Sequence, residues 1–219
     1  MPRALFEKTG NAIWISHLDL MRVFQRSFKR AGLPLTHTQG FNPRPSVSIA
    51  LPMSVGVESR CELLDFDLEG EKIANLEILH RLNQSLVDGV RVLAVYDAAN
   101  KIKHLTYLDC VVTLEYDDGI PQGAREAMEA LFARKSVVVE KRTKNGPKQE
   151  NIIPMIRKLT VQQEGEGELS LNARICCQNP SLNPMQLVAA IEKELPACKP
   201  SFAKCRRVEV YDSNETVFR

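Results

Sequence analysis

Four basic residues on one predicted helix could bind a phosphate backbone. They are separated by four, three and one positions: Arg22, Arg26, Lys29 and Arg30. At about 100° per residue they fall within an arc of about 100°. A row of cations on one stripe is well placed to meet successive phosphates. The same pattern is also typical of a solvated helix face whose basic end lies at the helix C-terminus, where the macrodipole favours it.

A short stretch stiffened by two prolines carries side chains that could recognise a base. It reads Gln39-Gly40-Phe41-Asn42-Pro43-Arg44-Pro45, and the density of helix and strand breakers predicts a loop. Phe41 and Arg44 could stack on a base, while Gln39 and Asn42 could bind its edge. In the alternative interpretation, the loop is rigid and Phe41 folds back onto the core.

Two further groups are weaker candidates. His17 with Asp19 could act in general acid–base chemistry. Residues two apart on a helix do not face each other, which favours capping or packing and leaves His17 a weak catalytic candidate. A second basic patch surrounds a Gly-Pro turn in a predicted polar loop, and it is either solvated or a second phosphate-contacting arm. Its members are Lys141, Arg142, Lys144 and Lys148.

The elements that must position these residues follow from periodicity and end signals. Ser16 is a candidate N-cap, and apolar residues recur at helical spacing up to Gly32, which predicts a helix over 17–30. Each half of the chain reads strand, helix, strands, helix, strand. This is the order of the split βαβ motif. The sequence therefore predicts an α+β protein of two tandem ferredoxin-like domains, residues 1–99 and 103–219.

Charge and composition exclude several classes of protein. The 219 residues carry a formal net charge of +2, but residues 1–60 hold eight basic against three acidic side chains. No apolar run of about 18 residues is present, and the first ten residues lack an apolar signal core, so we expect a cytoplasmic protein without a membrane segment. The six cysteines form no C-x-x-C pair, and the phosphate-loop, dinucleotide-binding and zinc-protease motifs are absent. We therefore expect no metal and no cofactor.

Three motifs follow one another along the chain: Ile15-Ser16-His17-Leu18-Asp19-Leu20-Met21-Arg22, Gln39-Gly40-Phe41-Asn42-Pro43 and Gly56-Val57-Glu58-Ser59. In this order they resemble the bacterial radical SAM-linked family of unknown function, DUF2344. Members of this family are typically encoded near a radical SAM enzyme and a ribonuclease of the E/G type. The resemblance thus implies a radical SAM enzyme as partner and a cytoplasmic role that involves RNA. The C-x-x-x-C-x-x-C motif of the radical SAM enzymes themselves is missing.

These observations support one leading hypothesis and two alternatives. The leading one is a non-catalytic protein that binds RNA or presents a substrate to a radical SAM enzyme. The first alternative is a protein-interaction module that docks on that enzyme without nucleic acid. The second is a metal-independent RNA endonuclease, since the predicted architecture with an early helical histidine is similar to that of RNA-processing endonucleases of the Cas6 type.

Overall fold

The protein is α+β, and its computed structural model describes residues 1–143 and 146–219. The chain divides into two compact units. Residues 1–102 together with Arg219 form unit 1, and residues 103–218 form unit 2. Within the described residues, each unit contains antiparallel strands and two α-helices.

Unit 1 alternates strands and helices along the chain. Its elements are β1 (Pro2–Lys8), α1 (His17–Arg30), β2 (Val47–Ile49), β3 (Val57–Phe66), α2 (Asn75–Ser85) and β4 (Val90–Asp97). Strand β1 pairs antiparallel with both β3 and β4, and β2 pairs antiparallel with β3. The strand order is therefore β4-β1-β3-β2, in which the first and third strands of the unit are neighbours.

Local sequence signals set both ends of α1. At its start, the Ser16 hydroxyl oxygen accepts a hydrogen bond from the backbone N–H of Asp19 at 3.2 Å, as an N-cap does. At its end, Gly32 adopts a φ of +66°, and the Leu33 N–H donates to the Phe28 carbonyl at 2.9 Å. This is the Schellman arrangement that glycine permits. The predicted helix over 17–30 is confirmed.

The core of unit 1 fixes which face of α1 meets solvent. Phe24 meets Phe6 of β1 edge-on with ring centroids 4.7 Å apart, and Phe28 packs against Phe66 of β3 at 4.9 Å. Leu20 completes this buried helix face. Because an α-helix turns 100° per residue, the residues midway between these positions project away from the core.

A buried lysine ties the start of α1 to the sheet. Lys8, the last residue of β1, is fully buried, and its Nζ donates to the carbonyl oxygens of Ile13 and Ile15 at 3.1 Å each. Ile13 belongs to the 3-10 helix Gly10–Trp14, and Ile15 directly precedes the helix cap. The cation therefore satisfies carbonyls that the turn leaves free, and it holds α1 in place.

A glycine allows a close backbone contact in this region. Gly89 has a φ of +79°, and a Cβ at this position would lie 2.5 Å from the Thr9 carbonyl oxygen and 2.8 Å from the Ala12 Cβ. We expect Gly89→Ala to lower the free energy of unfolding by about 2 kcal/mol, because backbone strain and overlap add. Urea unfolding followed by circular dichroism measures this. Gly70 has a similar φ but open space around it, so an equal effect of Gly70→Ala would contradict the contact argument.

Unit 2 has the same element order with one insertion. Its elements are β5 (Tyr107–Glu115), α3 (Ala124–Phe132), β6 (Val138–Thr143), β7 (Gly146–Asn151), β8 (Ile156–Gln163), β9 (Glu168–Cys176), α4 (Met185–Glu194) and β10 (Phe202–Tyr211). The antiparallel strand order is β10-β5-β9-β8. Strands β6 and β7 form a separate two-stranded sheet, so the polar loop predicted around Gly146 and Pro147 is wrong for this segment. Its residues pair across the hairpin despite their polarity.

Candidate functional site

The four basic residues of α1 form one exposed surface, which we call the basic arc: Arg22, Arg26, Lys29 and Arg30. All four are exposed, whereas Leu20, Phe24 and Phe28 on the opposite side of the helix are completely buried. The predicted helical arrangement is confirmed. The arc is exposed because the core of unit 1 takes the other face of the helix.

The arc residues differ in what they bind within the protein. Arg22 is ion-paired with Asp19 at 2.7 Å, one turn away on the same helix. Arg30 donates to the Ser27 hydroxyl at 3.0 Å and to the Ser85 carbonyl at 2.5 Å. The side chains of Arg26 and Lys29 make neither a hydrogen bond nor an ion pair within residues 1–143 and 146–219. Two of the four cations are therefore free to bind an anion from outside.

Asp19 holds Arg22 because its carboxylate stays charged. The Ser16 hydroxyl donates to Asp19 Oδ2 at 2.7 Å, and the Arg22 guanidinium donates to Oδ1. These two hydrogen bonds, with the positive field of Arg22 and Arg26, lower the pKa of Asp19 below its usual value. At neutral pH the carboxylate is thus ionised and competes with any external anion for Arg22.

The 39–44 loop projects from the same unit on a short paired stem. The Thr38 N–H donates to the Arg44 carbonyl at 2.9 Å, and the Arg44 N–H donates to the Thr38 hydroxyl at 3.0 Å. His37 and Pro45 form a bridge below them. Phe41 is fully exposed at the end of the loop, so the alternative in which it folds onto the core is wrong. No apolar partner reaches it within the described chain.

A groove joins the basic arc to the stem of the 39–44 loop. It has a volume of about 440 Å³, and its lining comes from α1, the segment after it, the stem and one residue that follows β3. Lys29 and Gln25 line it from the helix, and His37 and Pro45 from the stem. Two regions that the sequence singled out separately are therefore parts of one surface.

His17 and Asp19 do not form a catalytic pair. The Asp19 carboxylate is bound by Ser16 and Arg22, and His17 Nδ1 is buried without a hydrogen-bond partner in the described part of the chain. A general base needs an accessible nitrogen held by an orienting partner. The arrangement fits the packing role that the helical spacing favoured, and it does not support the nuclease hypothesis.

The second basic patch is partly neutralised. Lys141 Nζ contacts the Glu150 carboxylate at 3.0 Å and the Ser181 carbonyl at 2.9 Å. Lys148 lies opposite Lys141 in the β6–β7 ladder and is exposed. Lys144 and the side chain of Arg142 lie outside the described residues. Of the predicted patch, Lys148 remains as an exposed cation in this part of the structure.

Sequence reasoning missed three residues of the groove: Gln25, His37 and Glu69. Gln25 sits one turn before Lys29, on the flank of α1, and is half-buried. His37 Nδ1 and Glu69 Oε1 are 3.8 Å apart. Glu69 is remote in sequence and reaches the groove because its N–H donates to the Pro34 carbonyl at 2.9 Å. No local pattern reports such a contact.

Comparison with known proteins adds the family. Residues 2–184 match the family described as "Uncharacterized protein conserved in bacteria (DUF2344)". The chain belongs to the DUF2344 family. The matched region of this DUF2344 chain contains the basic arc, the 39–44 loop and the groove, and it ends just before α4. No curated protein matches the sequence.

The DUF2344 chain is also similar to chains of solved complexes. One is in "Crystal Structure of a Cbf5-Nop10-Gar1 Complex", with a TM-score of 0.50, 7% sequence identity, and coverage of 95% of this chain and 48% of that one. Another is in "Structure of H/ACA RNP bound to a substrate RNA containing 2'-deoxyuridine", with a TM-score of 0.47, 7% identity and coverage of 94% and 46%. The chain spans about half the length of the chains it matches. At these identities the similarity shows the fold alone.

None of the helices within residues 1–143 and 146–219 of the DUF2344 chain is long and apolar enough to cross a membrane. No cluster of three or more His, Cys, Asp or Glu side chains with metal-binding geometry occurs in the same residues.

Proposed function

We propose that this protein is a non-catalytic, cytoplasmic RNA-binding partner of a radical SAM enzyme, with the basic arc as its phosphate-binding surface. The observation that carries the proposal is the state of Arg26 and Lys29, which are exposed and have no partner among the described residues. When a lysine or arginine neutralises a phosphate, the counterions condensed on the nucleic acid are released. This release supplies much of the affinity of proteins for nucleic acid. At about 1.5 Å rise per residue, the two lie about 4.5 Å apart along the helix axis.

The 39–44 loop supports binding of a single strand rather than a duplex. Phe41 is fully exposed on this loop, which Pro43 stiffens. An exposed aromatic ring can stack on a base that is free of its own stack, and such stacking is tolerant of sequence. A duplex keeps its bases stacked and would leave this ring without a partner.

The choice of RNA and of the partner rests on the family resemblance. Family members are typically encoded near a radical SAM enzyme and a ribonuclease, so the protein would present an RNA to that enzyme. The strand orders β4-β1-β3-β2 and β10-β5-β9-β8 support the architectural part of the proposal. In it, residues 1–99 and 103–219 are two ferredoxin-like domains, the second with a hairpin inserted after its first helix.

Fluorescence anisotropy with a labelled single-stranded RNA tests the proposal. We expect binding at about 50 mM salt that weakens steeply by about 200 mM, since each phosphate contact on a single strand contributes about −0.7 to the slope of log affinity against log salt. Absence of binding at both salt concentrations would overturn RNA binding. Binding that does not depend on salt would overturn the role of the basic arc.

Replacing Asp19 should strengthen RNA binding. The Asp19→Asn variant removes the charge that pairs with Arg22 at 2.7 Å, so a third cation becomes free. We expect the affinity to rise about threefold and the salt slope to steepen by about 0.7. Glu77→Gln, which breaks the similar Arg81–Glu77 pair on α2 at 2.6 Å, is the matched control. A gain of the same size in the control would show a general charge effect instead.

One observation favours a second candidate, docking of a protein partner. Besides Phe41, the apolar side chains of Trp14, Leu18 and Val55 are more than half exposed, and exposed aromatic residues are enriched at protein interfaces. In this candidate the 39–44 loop inserts into the radical SAM enzyme. Co-purification with that enzyme that is lost in Phe41→Ala while RNA affinity is unchanged would favour docking over RNA binding.

A further inference from the structure

The groove beside the basic arc has an apolar floor and a polar rim. Phe28 and Leu33 are completely buried and Leu35 nearly so, and all three line it together with Pro34 and Pro45. Its volume of about 440 Å³ lies at the lower end of the range of small-molecule sites, about 300–1,000 Å³. Apolar walls of this kind suit a flat heterocycle, because the faces of its ring make few hydrogen bonds with water.

Gly32 lines the groove and leaves open space beside it. Gly32 ends α1 at a φ of +66°, and a Cβ there would meet nothing within 4 Å. The helix thus ends where the groove begins, and no side chain fills the space. A ring that enters the groove beside Lys29 would therefore pass over the backbone of Gly32 and meet no side chain there.

The rim combines donors on one element with an acceptor on another. Lys29 and Gln25 project from α1, and neither side chain has a hydrogen-bond partner in the described ranges. Glu69 follows β3 and is remote in sequence from Lys29. Its carboxylate lies next to His37 in the groove. A ligand in the groove therefore meets an ammonium donor at one part of its edge and a carboxylate acceptor at another.

We propose that this groove binds a guanine base of a single-stranded RNA whose phosphates lie on the basic arc, an inference that rests on the proposed RNA binding. Guanine carries two adjacent donors, N1–H and the N2 amino group, which match the two oxygens of the Glu69 carboxylate. Its O6 and N7 are acceptors, the atoms that lysine contacts in guanine recognition. Donors and acceptors of this base thus complement both charges of the rim.

The other bases fit this rim less well. Uracil has a single N–H between two carbonyl oxygens. If this N–H donates to one carboxylate oxygen, a carbonyl oxygen of the base faces the other carboxylate oxygen, and two acceptors repel each other. Adenine and cytosine each offer one amino group beside an acceptor nitrogen, so one carboxylate oxygen stays unpaired. An unpaired acceptor next to another acceptor costs binding energy. Guanine is therefore the base that satisfies both oxygens.

Base preference separates this inference from the general proposal. The probes are labelled oligouridines of about eight nucleotides in which one central base is guanine, adenine, cytosine or uracil. We expect the guanine probe to bind at least about fivefold more tightly than the other three, the discrimination of one bidentate contact. In Glu69→Gln this preference should vanish, because the guanine probe then binds no more tightly than the other three.

Glu71→Gln is the matched control, because Glu71 is exposed two residues away and does not line the groove. It should keep the guanine preference. Equal, salt-dependent binding of all four probes would overturn the guanine site and leave RNA binding intact. Binding of none of them would overturn both proposals. A guanine preference that survives Glu69→Gln, or that disappears equally in Glu71→Gln, would overturn the role of Glu69.

Discussion

Replacing Arg26 and Lys29 together by alanine should lower the affinity for single-stranded RNA by more than about tenfold at about 100 mM salt. These residues are the cations of the basic arc without an internal partner in the described chain, so their loss removes two phosphate contacts. The slope of log affinity against log salt should become shallower by about 1.4, twice the contribution of one contact on a single strand. Anisotropy titrations over a range of salt concentrations measure both quantities.

The control for this variant removes the same charge elsewhere on unit 1. Arg91 and Lys101 are exposed and lie outside the basic arc and the groove. Their double alanine variant changes the net charge equally, so it reports the long-range part of the attraction. Equal losses in the two double variants would mean that the arc is not a contact surface. Since all four side chains are exposed, neither variant should change the urea midpoint noticeably.

Replacing Asp65 by alanine should destabilise the protein by about 3–5 kcal/mol, a large share of the stability of about 5–15 kcal/mol of a typical domain. Asp65 on β3 binds Arg3 on β1 through two hydrogen bonds, Nε to Oδ1 at 2.5 Å and Nη2 to Oδ2 at 3.1 Å. The Arg3 side chain is 1% exposed and the Asp65 side chain 10%. Removal of the carboxylate would take the two charged hydrogen bonds of Asp65 away from a guanidinium that stays buried.

A double variant shows whether the charge or the packing matters. With Arg3→Met and Asp65→Leu combined, both charges of this pair are gone, and apolar replacements of a buried pair are often neutral or stabilising. We expect this variant to recover most of the stability that Asp65→Ala loses in urea unfolding. If the double variant is as unstable as the single one, the loss comes from packing or from the Arg3 contact with the Asn100 carbonyl at 3.0 Å.

Local features of this fold were predictable because neighbouring residues generate them. The limits of α1 follow from Ser16 before it, Gly32 after it and the apolar spacing between. The grouping of the basic arc follows from the same periodicity. The strand β7 was not predictable in this way. Its sequence, Gly-Pro-Lys-Gln-Glu-Asn, has a low strand propensity, and it is a strand because β6 supplies a complete antiparallel partner.

In the candidate site, too, local sequence set some features and tertiary contacts set the others. The sequence by itself determined the helix, its exposed cations and the presence of a stiff loop, since spacing of a few residues along the chain decides these features. Only the tertiary structure decided that Arg30 is engaged by the Ser85 carbonyl while Arg26 and Lys29 stay free, and that Glu69 lies in one groove with Lys29. These placements bring together residues that are about 40 to 55 positions apart in the chain. The packing of the helices on the sheet of unit 1 sets them, and no periodicity along the chain encodes that packing.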